Sequence, residues 1–496
     1  MTKYIILFLL IASLVGSCVP LSPTSISLPT AAVSPTIPPS PAPSATPTIT
    51  PYPGLQTQGP YLLFTNDDSN FTLMDADGSG RRQFRLPNDG YLGWSTARAV
   101  SPNGKWLAYY TGAVEQAPYD LALHLYDLEN QTTLLVADLI APGFPENLEP
   151  VTKTIDFTDF SGDCFSDLKC QLGEVEFAFR QGVRRLTWSP DGKFLAFAAQ
   201  IDGPSSDVYI FNVEDQSTRR LTSELENVWS MDWSPDGEKI LYLDAVPGTV
   251  GLSRYFRVAD PNMQTIQTPR QIDGGSFWLQ QEGWIDKNSY LIWDGGDGAS
   301  PHHIRYINTD TQQVREVWKY TAETLIVDQE RHQVILVTRP SETEDEKPEK
   351  GVYFVSREGV YTKVSDDIYY PFDQDPFGMY FVTYGYAQLA AISTNGTILD
   401  LSRKRYDYEI PRVSPDQKWV ILPSDMGTEL YSKTMQFYRK IWDVPSSKII
   451  WRPDSLGAFL FLDTRMYYLP IPDGEPTLIE DCAPSYCSSV DYAWVP

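Results

Sequence analysis

The chain has 496 residues, 42% of them hydrophobic and 13% aromatic, with 64 acidic against 39 basic side chains for a formal net charge of −25. Length and apolar content are enough for one very large domain or two ordinary ones. Such an acidic surface repels phosphate backbones, which argues against nucleic acid and leaves basic proteins, cations and neutral polymers as partners.

The first element is "MTKYIILFLLIASLVGSC": Lys3, an apolar run from Tyr4 to Ile11, then small residues ending at Cys18. It is too short to span a bilayer as a mature helix and reads as a signal peptide over residues 1–17. Val15-Gly16-Ser17-Cys18 resembles the bacterial lipobox, which implies that Cys18 becomes the lipidated first residue. Residues 18–59 are rich in Pro, Ser and Thr and almost uncharged. They cannot bury a core and favour polyproline II, giving a tether on the order of 100 Å at ~3.1 Å per residue. The expected location is therefore the bacterial cell envelope, with the folded part facing an extracytoplasmic compartment and touching the membrane only through the N-terminal lipid.

From Pro60 to the end the chain repeats. "WSPDGKFLAFA" at 188 and "WSPDGEKILYL" at 233 are near copies, "SPNGKWLAYY" at 101 and "SPDQKWVILP" at 414 are clear relatives, and weaker copies begin at 282, 325, 369 and 449. In each, Pro fixes φ, Asp bonds local amides and Gly accepts positive φ, so a tight turn joins two strands. Two more strands follow, as in "DVYIFNVED" and "STRRLTS", which makes each unit a four-stranded antiparallel sheet of the size of a propeller blade. The Ser and Asp of these turns read as turn residues, not catalytic ones.

With "LMDADGSGRRQF" at 73, these strings resemble the repeats of TolB-like β-propellers over residues 60–496. The resemblance implies an all-β propeller, an extracytoplasmic location and binding of proteins or polymers. The first unit lacks an inner strand and the last residues, "SVDYAWVP", match one, so the C-terminal strand is expected to close the ring. Nine candidate units can be counted; eight blades are favoured, within a range of seven to nine, with one weak unit misread.

Loop lengths divide the ring into two faces. Connections between first and second strands, and between third and fourth, are tight and share one face. The others are long, and an insertion at about 139–182 belongs with them. Long loops on a rigid scaffold concentrate binding residues, so Asp202, Asp207, Asp244, Asp294 and Asp297 are candidates on an acidic binding face, beside Glu115 and Asp120. Lipidation of Cys18 leaves Cys164, Cys170, Cys482 and Cys487. Local disulfides Cys164–Cys170 and Cys482–Cys487 are favoured by short loop closure among the three connectivities that four cysteines allow.

No catalytic constellation is evident: there is no Gly-x-Ser-x-Gly elbow and no His-Glu-x-x-His motif. Adjacent His302 and His303 would face opposite sides of a regular strand. The expected function is a monomeric binding or assembly module for a protein or envelope polymer, without enzyme activity, metal or cofactor. The rival expectations are a carbohydrate-active lyase or hydrolase on a propeller, and a purely structural envelope protein.

Overall fold

The computed structural model describes residues 54–496 except 66–68, 115–117, 150–168, 170, 174–175, 177–182, 223–227, 246–253, 264–269, 273–278, 295–302, 312, 321, 323, 329–330, 339–347, 368–369, 376–378, 385–387, 394, 405–410 and 482–490. The signal segment with Cys18, the tether as far as residue 53, and Cys164, Cys170, Cys482 and Cys487 lie outside the described residues. So do most of the insertion, Glu115, His302 and Asp297.

Nine antiparallel sheets follow one another along the chain. Blade 1 comprises 61–85 together with 491–495; blades 2 to 9 are 106–138, 186–220, 228–272, 279–318, 324–365, 370–404, 412–442 and 448–481. The count is the upper end of the expected range. None of the weak units was misread, and the preference for eight is corrected to nine. Blade 2 alone has three full strands: its inner position is taken by a short helix, Thr96–Ala99, and a single bridge between Val100 and Leu107. No described helix is long and apolar enough to cross a membrane.

The second strands explain the unbroken apolar runs of the sequence. In Phe194–Ala199, Leu195, Phe197 and Ala199 enter the core shared with blade 2, while Ala196 and Ala198 enter the core shared with blade 4. A strand buried on both faces reads as continuous rather than alternating hydrophobicity. Every neighbouring pair of blades shares such a core, including blade 9 with blade 1 through Phe459, Phe461, Leu62 and Phe64.

The repeated Trp ties blade to blade. Trp188 Nε1 donates to the Ala99 carbonyl at 3.1 Å, Trp233 Nε1 to Thr187 at 3.0 Å and Trp451 Nε1 to Arg412 at 2.9 Å, each acceptor lying on the inner segment of the preceding blade. The Ser-Pro-Asp-Gly turns are structural, as expected. Ser189 Oγ donates to Asp191 Oδ1 at 2.7 Å and accepts from the Phe194 amide at 2.9 Å, and Gly192 has φ 69°. Ser234 with Asp236 and Ser414 with Asp416 repeat the arrangement.

The C-terminal strand closes the ring. Asp491–Val495 pairs antiparallel with Tyr61–Thr65, from Tyr61 opposite Val495 to Thr65 opposite Asp491. Asp491 Oδ2 also accepts from the Thr96 hydroxyl at 2.7 Å, and Arg81 of blade 1 makes a buried ion pair with Glu480 of blade 9 at 2.7 Å.

Candidate functional site

The inner segments contact one another around the axis: 96–99 meets both 491–495 and 186–188, and 186–188 meets 228–233. Leu186–Trp188 and Val228–Trp233 start at the long-loop end and finish in a Ser-Pro-Asp-Gly turn. Residues just before an inner strand therefore stand at the axial mouth of the long-loop face. Arg184 and Arg185 precede Leu186–Trp188 in this way. Tyr91 and Trp94 reach the same mouth on the connection from blade 1 to blade 2.

Arg98, on the short helix, points across the neighbouring blades. Its Nε donates to the Leu186 carbonyl at 3.0 Å, its Nη2 donates to the Met231 carbonyl at 2.7 Å, and it pairs with Asp232 at 3.3 Å. The guanidiniums of Arg98 and Arg185 lie 5.1 and 4.7 Å from the Trp94 ring centre, within cation–π range. Trp94 Nε1 donates to the Arg184 carbonyl, and the Arg184 guanidinium stands 6.0 Å from the Tyr91 ring. Burial, with added repulsion from Arg98 and Arg184, pulls Arg185 down to about 10, although Tyr110 acts in the opposite direction. Three cationic side chains and two aromatic rings thus converge, half-buried, in a strongly acidic protein. Their chemistry suits a carboxylate or another planar anion, which guanidinium forks bind bidentately.

Among the described residues the predicted acids meet only in one pair, Asp202 and Asp207, which both act on Tyr209 and Arg220. Asp202 is exposed and accepts from the Tyr209 hydroxyl at 3.3 Å. Asp207 and Asp244, expected on the exposed face, are 1% and 0% exposed. Asp207 pairs with Arg220 at 2.7 Å and accepts from Ser205 Oγ at 2.9 Å; Asp244 pairs with Arg257 at 2.8 Å. Their placement on the surface is corrected: a carboxylate at a blade's end is covered by an arginine from the adjoining strand, which makes it an internal strut. Burial pushes Asp207 up to about 6, outweighing the pull of Arg220 and of the Ser205 and Thr222 hydroxyls. Asp120 receives the Ala113 amide at 3.1 Å within its own loop. The side chain of Asp294 lies outside the described residues. His303 meets Glu316 at 2.6 Å, and among the described residues no group of three His, Cys, Asp or Glu is placed to hold a metal.

The sequence reasoning missed Trp94, Arg98, Arg184 and Arg185. The available signal was the Arg-Arg pair directly before "LTWSP", since the repeat already placed that position at the start of an inner strand.

No family model and no curated protein matches the chain. Solved structures do. A eukaryotic initiation factor aligns with TM-score 0.50 at 13% identity, over 88% of this chain and 99% of its own. An oligogalacturonate lyase in complex with manganese aligns with TM-score 0.36 at 14% identity, over 76% and 96%. The β-propeller domain of the Trilobed protease from Pyrococcus furiosus aligns with TM-score 0.34 at 11% identity, over 79% and 100%. At these identities the likeness is one of fold.

Proposed function

We propose that the protein is a lipid-anchored, extracytoplasmic propeller of the TolB-like kind, in the bacterial envelope. It acts as a monomeric binding module rather than an enzyme and captures a protein or envelope polymer. The anionic group of that partner is received at the axial mouth of the long-loop face. The observation that carries this reading is the convergence of Arg98, Arg184 and Arg185 on Trp94 and Tyr91. It changes the expected partner: the centre of the face is basic, so an acidic segment is favoured over a basic one. The protein's overall negative charge slows the approach of such a segment at low salt, and the guanidiniums act at short range, where screening is weaker.

The test is a pull-down from detergent-solubilised envelope, with wild type and an Arg184→Gln/Arg185→Gln double variant as bait. A partner present with wild type and lost with a folded variant is expected; equal capture by both overturns the site. Turnover of a uronate polymer by the purified protein would favour the lyase or hydrolase class instead. Anchoring is tested separately: Cys18→Ser should move the protein to the soluble fraction, and a variant that stays membrane-bound in high salt removes the lipoprotein reading.

A further inference from the structure

The face of blade 5 that meets blade 6 changes character along its length. Leu291 and Ile304 lie in a core shared with Val334, Leu336 and Tyr353. Toward the tight-turn end two polar rows follow in register: Tyr306 opposite Arg315, then Ser289 opposite Asn308 and Asn308 opposite Gln313. Side chains two residues apart share a sheet face. These five line a cleft of about 290 Å³ whose lining, among the described residues, is completed by Arg357 and Glu358 on a turn of blade 6.

Tyr306 is 5% exposed, and its hydroxyl has no hydrogen-bond partner among the described residues. A buried hydroxyl left in that state is costly unless something else serves it. Asn308 Oδ1 is occupied, accepting from the Asp310 amide at 3.1 Å and the Thr311 amide at 2.9 Å, which leaves its NH₂ group to donate. Arg357 is already neutralised between Glu358 at 2.9 Å and Asp286 at 3.0 Å. Arg315 is exposed and has no ion pair among the described residues, so it is the cation available to a ligand's charge. The cleft therefore offers one cationic fork, several neutral donors and one carboxylate acceptor.

A ligand matching that set carries a carboxylate and several hydroxyls. We infer that the cleft binds a small polyhydroxylated carboxylate, with its carboxylate on Arg315 and its hydroxyls shared among Tyr306, Asn308 and Glu358. Its volume lies at the small end of ligand pockets, which limits the occupant to about one sugar-sized unit. The site is on the face opposite the axial mouth and does not depend on the function proposed above.

The experiment is calorimetric titration of the purified full-length protein with D-gluconate, with D-glucose and acetate as probes lacking the carboxylate or the hydroxyls. Saturable gluconate binding is expected, weaker by at least about tenfold in Arg315→Gln, with both control probes much weaker. Tyr306→Phe should weaken gluconate severalfold while leaving the unfolding midpoint unchanged or raised, because it removes an unserved hydroxyl. Absence of saturable binding, equal affinity in Arg315→Gln, or glucose binding as well as gluconate overturns the proposal. So does a Tyr306→Phe variant that melts lower than the parent, since the hydroxyl would then have a structural partner.

Discussion

Replacing Arg220 by Met separates an internal strut from a surface acid. Asp207 is 1% exposed, and the arginine 2.7 Å away is largely buried, with 21% of its side chain exposed. Removing one member of such a pair strands the other, at a cost of ~3–5 kcal/mol. The Ser205 hydroxyl at 2.9 Å still serves Asp207 in the variant, which places the expected loss near the low end, about 3 kcal/mol. The loss depends on pH. Burial sets the folded carboxyl at about 6, above an unfolded value of about 3.9. A folded value raised in this way means that the group's contribution to stability is fullest below about pH 4 and is lost as pH rises through about 6. Without Arg220 the folded value rises further, so the deficit relative to the parent opens above about pH 6 and shrinks toward pH 5. Urea unfolding at pH 5 and pH 8 measures it, and adding Asp207→Asn to Arg220→Met should recover much of the stability at pH 8. The same deficit at both pH values, or none at pH 8, would refute the reasoning.

Deleting residues 491–496 removes the partner of Tyr61–Thr65, the Asp491–Thr96 bond and the buried Val495; the unfolding midpoint should fall sharply, and a truncated protein that melts like the parent contradicts ring closure. Trp188→Phe keeps a ring but leaves the Ala99 carbonyl without its indole donor, and should cost about 1–3 kcal/mol in urea unfolding. Asp236 is held below its usual range: burial raises it, but the Ser234 hydroxyl, the Glu238 amide and Lys239 together outweigh burial. Its stabilisation is therefore present above the unfolded value and lost as pH falls through the depressed folded one, so Asp236→Ala should be destabilising at pH 7 and nearly neutral at strongly acidic pH in thermal melts.

Blades with a Trp-Ser-Pro-Asp-Gly string were legible because that string carries both the turn chemistry and the inter-blade indole bond. Blades 5, 6, 7 and 9 were faint because none carries the Ser-Pro-Asp-Gly string; the inner strands of blades 5 and 7 also have register shifts, between Trp284 and Asp286 and between Pro371 and Asp373. The blade 5 turn is held by Asp286 accepting the Asn288 amide at 2.8 Å instead of by the Ser-Asp pair. Blade 2 hid its inner position behind a helix, Thr96–Ala99. The buried acids misled because composition shows an aspartate in a loop and not the arginine that covers it. Yet both struts share a spacing of 13 residues, Asp207 to Arg220 and Asp244 to Arg257, the reach of a diagonal pair across one hairpin. Trp94 and Arg184 lie 90 positions apart, and only ring geometry brings the axial residues of the two blades together.

The two ends of the ring are built differently, and the entry of the chain belongs to one of them. Asp75, 0% exposed, closes the third strand of blade 1 at the tight-turn end. Its carboxylate accepts from the Gln56 amide at 2.8 Å, the Thr57 amide at 3.1 Å and the Thr57 hydroxyl at 2.6 Å. A buried carboxylate satisfied this fully fixes the segment that leads into the propeller. Residues 54–57 thus join the ring on the side opposite the axial mouth, where Arg98, Arg184, Arg185 and Trp94 stand. A binding surface at the long-loop end therefore needs no displacement of residues 54–60 to be reached. By the same geometry, the blade 5 cleft lies at the tight-turn end, the end at which residues 56 and 57 meet blade 1.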